Sequence, residues 1–142
     1  MYVYILILFA LLLLLSAFFS SSETAFLNLK HYNKKIPLEI IKFVNQPKRL
    51  LIGLLSGNTI INICIAFLGA YFVHHLTKEF VISETFLLLI DIIFLSLILL
   101  IFGEVVPKVF AMRNSMKVAQ FAYFPLQIIF TLFKPIIFLF HK

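Results

Sequence analysis

The sequence predicts an all-α membrane protein with three transmembrane helices and shorter interfacial helices, arranged as a juxtamembrane hairpin. Three observations carry this reading. First, the 142 residues are 63% apolar and only 13% charged, and the mean hydropathy is +1.10, whereas soluble domains carry about a quarter of charged residues. Second, three apolar stretches, Met1–Phe19, Leu50–Val73 and Phe86–Phe102, are each long enough with their flanks to cross a hydrocarbon core of about 30 Å. Third, the period-two alternation of a membrane β-barrel is absent. The chain therefore reads as one transmembrane domain over residues 1–142, with spans at about 2–27, 50–74 and 84–106.

The first stretch is broken by one small polar residue, Ser16, and runs into "SAFFSSS". Small residues after an apolar run resemble a leader-cleavage site. However, no Lys or Arg precedes the run, and it exceeds an ordinary leader core, so a retained span is expected. The second stretch carries no charge and holds the single cysteine, Cys64. One cysteine allows no internal disulfide, and a buried, small apolar role inside the span is expected. The third stretch carries one charge, Asp91, near its start, and is followed at once by Gly103-Glu104.

The loops give an orientation. Six of the twelve basic residues, Lys30, Lys34, Lys35, Lys42, Lys48 and Arg49, fall between the first two spans, opposed only by Glu39. Lys108, Arg113 and Lys117 follow the third span. By the positive-inside rule the first loop and the C-terminal region are cytoplasmic, and the uncharged N-terminus is outside. In intact cells, Lys78→Cys is expected to label from outside and Lys35→Cys is not; the reverse pattern would invert the topology. The net charge of +6 is thus a topology and lipid-surface signal, and no nucleic-acid partner is expected.

Within the first loop, Pro37 precedes "LEIIKFV", whose Leu38, Ile41 and Val44 recur at helical spacing. An interfacial amphipathic helix is expected at about 37–45. The last stretch, about 115–140, is apolar but interrupted by Pro125, Lys134 and Pro135. It reads as short helices along the cytoplasmic interface, with a fourth span as the alternative.

The polar residues of the spans are patterned. Ser16 and Ser20 are four apart, as are Asn58 and Asn62, so each pair shares a helix face. With basic residues as rulers, Ser20 is ten positions from Lys30, Asn58 nine from Arg49 and Glu104 nine from Arg113. Each would sit about 14 Å from its anchor. Hydroxyl, amide and carboxylate oxygens at one depth suit a hard cation, whether Mg²⁺, Ca²⁺ or Na⁺. Glycines beside them, Gly57 and Gly103, permit close approach and exposed carbonyls. Pro107 and the serine run can free further carbonyls. The competing readings are interhelical packing by Ser and Asn, with "GLLSG" as a small-residue contact, and an ion pair between Glu104 and Lys108 one turn on. A carboxylate at this depth is costly enough that function is its default reading. No nucleophile–base pair, cofactor motif or nucleotide loop is present, so no enzyme is expected.

"SAFFSSSETAFLNL", "GNTIINI" and "FGEVVPK" resemble, in order and across nearly the whole chain, the three signature stretches of the CorC/cyclin-M membrane domain. That resemblance implies Mg²⁺ export in exchange for Na⁺, three spans with a juxtamembrane helical pair and a homodimer; a multi-pass place in the cell (inner or plasma) membrane is expected from the spans. It carries the ion-binding role to Ser16, Ser20, Asn58 and Glu104, with carbonyls near Gly57 and Gly103 as further ligands. The family usually continues into nucleotide-binding regulatory repeats and a small acidic domain. These cytosolic parts are missing from the 142 residues, so ATP binding does not carry over. A non-transporting Mg²⁺ sensor or scaffold is the alternative function.

Overall fold

The computed structural model describes residues 2–30, 36–79 and 83–132. Those residues form α1 (Tyr2–Lys30), α2 (Leu38–Val44), α3 (Pro47–Glu79), α4 (Glu84–Ile98), a π-helical stretch (Leu99–Val105), α5 (Val106–Arg113) and α6 (Ser115–Leu132). No strand occurs among them. Three helices are long and apolar enough to cross a membrane: Tyr2–Lys30, Pro47–His75 and the continuous Thr85–Arg113. Helix α6 is not one of them, so the described residues give a fourth span no support.

Helix α1 contains neither Gly nor Pro over its 29 residues. Its serine run does not break it, because the Ser21 and Ser22 hydroxyls donate back to the Phe18 carbonyl at 3.0 and 2.6 Å. Pro37 precedes α2, and its carbonyl accepts from the amides of Ile40 and Ile41. Pro47 opens α3, where a missing N–H costs nothing.

The N-terminal half of α1 and the length of α4 expose large apolar side chains, among them Leu6, Leu11 and Leu14 of α1 and Ile92, Ile93 and Phe94 of α4. That is the surface of a helix solvated by lipid. The packed core lies at the other end, where the C-terminal half of α1 meets α2, α5 and α6. Ala25, Ala111, Ala119 and Ala122 are fully buried there, and small residues let helix axes approach closely. Phe43 of α2 anchors the same region, with ring centroids 5.9 Å from Phe26, 5.4 Å from Tyr123 and 5.6 Å from Phe130.

Three expectations change. Cys64, expected to be buried, is exposed on α3; in a span, lipid solvates such a small apolar side chain as well as a packed core does. The sequence ends the second span at about residue 74, but α3 continues through Glu79. Nothing in "HHLTKE" breaks a helix, and Leu, Lys and Glu favour one. The sequence predicts a break at Pro125, yet α6 runs through it. Proline removes one internal hydrogen bond, but Ala122 and Leu126 on either side are fully buried. Their packing holds the register. The further interruption expected at Lys134 and Pro135 lies outside the described residues.

Candidate metal site

The polar centre of the bundle is Ser16 of α1, which is fully buried. Its hydroxyl reaches two amide oxygens of α3, Asn58 Oδ1 at 3.0 Å and Asn62 Oδ1 at 2.8 Å. The four-residue spacing of the asparagines sets one turn of α3 against this hydroxyl. A serine carries one proton and donates fully to one acceptor at a time. Three oxygens therefore converge over a single proton, which makes the point electron-rich.

The third span closes the site with backbone. Gly103 is buried against Ser16, and a Cβ at position 103 would lie 3.0 Å from Ser16 Oγ. This is tight enough to require a shift. The approach occurs inside the π-helical stretch Leu99–Val105, where the amide of Val106 bonds the carbonyl of Ile101, five residues back. Pro107 follows and has no N–H. It removes the donor that the Phe102 carbonyl would take in the π register and the Gly103 carbonyl in the α register. The sequence reading placed loosened pairing near Pro107, and it falls on the turn before it.

The other expected residues sit at different points. Ser20 is one turn along α1, 1% exposed, and its hydroxyl has no hydrogen-bond partner among the described residues. The cost of such burial asks for a ligand or water. Glu104 is half-buried and adjoins Gly103. Among the described residues its carboxylate makes no hydrogen bond or ion pair, and no bond joins it to the Ser16 cluster. Gly57 faces the Phe19 ring, 2.6 Å from where its Cβ would be, and Gly53 likewise meets Phe130. The small-residue pattern in α3 thus admits aromatic rings.

The rulers aligned Ser20 with Asn58, whereas the structure pairs Asn58 with Ser16, one turn deeper. Distances from basic residues fix depth only to about a turn of 5.4 Å. Asn62, noted for its shared face, proves a direct partner.

The alternative partner of Glu104 is otherwise engaged. Lys108 Nζ lies 3.8 Å from Glu23 Oε2 of α1. Glu23 went unremarked in the sequence, although an acid toward the C-terminal end of the first span is a signal of the same kind as Glu104. Asn28 was also missed. Its amide donates to Ser115 Oγ at 2.7 Å and to the Met112 carbonyl at 3.2 Å, tying α1 to the α5–α6 junction. Asp91 lies away from the cluster, its Oδ2 2.8 Å from where a Cβ on Gly69 would be. Among the described residues no group of three or more His, Cys, Asp or Glu side chains could hold a metal. The available ligands are hydroxyl, amide and backbone oxygens with one nearby carboxylate, which suits a hard cation and disfavours zinc or copper.

Residues 6–142 match the family described as the cyclin M transmembrane N-terminal domain. No curated protein matches the chain.

Proposed function

The chain belongs to the cyclin M transmembrane domain family, and from that premise we propose that it carries Mg²⁺ across the membrane, outward, in exchange for Na⁺. The observation that carries the reading is the convergence of Ser16, Asn58 and Asn62 oxygens beside Gly103, with the unpartnered Ser20 hydroxyl one turn away. In this reading Ser16, Ser20 and Asn58 supply neutral oxygens and Glu104 the charge. Carbonyls near Gly103 and Gly57 complete the shell, and Na⁺ uses the same oxygens in the return step.

Mg²⁺ demands near-octahedral oxygen geometry and sheds water reluctantly. A mostly neutral site with a single carboxylate binds it weakly enough to release it. The carboxylate is effective because charges in a low-dielectric interior are weakly screened. The working unit is a homodimer in the plasma membrane with its N-terminus outside. Cytosolic regulatory domains are its expected partners.

The test is flux. The purified chain in liposomes loaded with a Mg²⁺-sensitive dye should move Mg²⁺ down its gradient, and faster against an opposing Na⁺ gradient. Silent liposomes, together with retained Mg²⁺-dependent thermal stabilisation in detergent, would replace the transporter by the sensor or scaffold.

A further inference from the structure

A cavity of about 260 Å³ lies apart from the oxygen cluster, between α2, α3 and α6. It sits at the basic end of the bundle, where the charges stop and the apolar stretch of α3 begins. Phe43, Leu50 and Phe130 form its apolar wall, and Glu39, Lys42 and Arg49 bring the charges. The wall is built, since Phe43 packs on both Tyr123 and Phe130 and Leu50 is buried. The charges are unspent. Among the described residues none of Glu39, Lys42 and Arg49 makes an ion pair, and the side chains of Tyr123 and Gln127, which also line the cavity, make no hydrogen bond.

We propose that this cavity holds the phosphate of a membrane glycerophospholipid. Two cations and one carboxylate leave one net positive charge, which matches the single negative charge of a phosphodiester. The Arg49 guanidinium can take two phosphate oxygens at once, and Lys42 acts as a point charge beside it. Glu39 then accepts from a hydroxyl or ammonium of the head group. The glycerol and first acyl carbons cover Phe43, Leu50 and Phe130. A free phosphate would carry more charge than the site neutralises and would leave the apolar wall bare. Attraction of basic residues to an anionic leaflet is general, but here the basic groups line a cavity with an aromatic side.

Native mass spectrometry of the full chain in mild detergent tests this, with phosphatidylglycerol, diacylglycerol and glycerol 3-phosphate as separate probes. Phosphatidylglycerol should be retained and the other two should not. Arg49→Gln and Lys42→Gln should each weaken retention about fivefold. Lys48→Gln, an exposed neighbour outside the cavity, should leave retention unchanged. If Arg49→Gln misfolds by thermal melting, Lys42→Gln, on the exposed side of α2, still decides. Equal loss in Lys48→Gln would mean diffuse surface attraction and would overturn the site, as would unchanged retention in the cavity variants. Glycerol 3-phosphate binding as tightly as the lipid would overturn the lipid as the occupant.

Discussion

Glu104→Gln is expected to fold and to lose Mg²⁺ flux, with Mg²⁺ binding weakened about 10- to 100-fold. The substitution keeps the shape and one carbonyl oxygen and removes the charge. Bonds to charged groups contribute about 1.5–3 kcal/mol, and each 1.4 kcal/mol is about a factor of ten. Lys108→Ala is the control. If Glu104 existed only to pair with lysine, both variants would be equally harmful. The structure places Lys108 at 3.8 Å from Glu23 instead, a long, partly exposed pair that contributes little. Lys108→Ala should therefore keep most of the flux, with at most a small fall in thermal stability. The measurement is dye-reported flux in liposomes beside Mg²⁺ titration of the melting temperature in detergent. Normal flux in Glu104→Gln with a dead Lys108→Ala would end the ion-site reading.

The spans were legible because their signal is thermodynamic and local: a chain cannot leave twenty apolar residues in water, and a helix is how one strand of backbone satisfies itself in lipid. Ser16, Asn58 and Asn62 were legible as helix faces for the same reason, since the four-residue spacing is geometry. What the sequence withheld depends on neighbours. The depth match moved from Ser20 to Ser16 because helices slide by a turn without altering their own patterns. Pro125 looked like a break, and tertiary burial of Ala122 and Leu126 decided otherwise. The π-helical stretch Leu99–Val105 has no composition of its own; only Gly103-Glu104 and Pro107 hint at it. Glu23 and Asn28 passed unnoticed because their partners, Lys108 and Ser115, lie 85 and 87 positions away.

The paired serines of α1 should respond with opposite signs when the ion is absent and with the same sign when it is present. Ser16 donates to the α3 asparagines. Ser16→Ala removes the one proton the two amide oxygens share, and the acceptor it orphans costs about 1–3 kcal/mol. The ion-free melting temperature should fall. Ser20 is as deeply buried, but its hydroxyl has no partner among the described residues. Ser20→Ala removes an unsatisfied group at almost constant volume, so the ion-free melting temperature should hold or rise. If both hydroxyls are ligands, each variant loses one oxygen from the shell. The Mg²⁺-induced rise in melting temperature should then shrink in both, and flux should fall about tenfold or more in both, by the same scale as a lost hydrogen-bonding partner. Packing alone predicts the ion-free changes and no change in the Mg²⁺ increment. A stabilised Ser20→Ala that answers Mg²⁺ as fully as the unaltered chain would remove Ser20 from the shell, and the same result for Ser16→Ala would leave the cluster as interhelical glue.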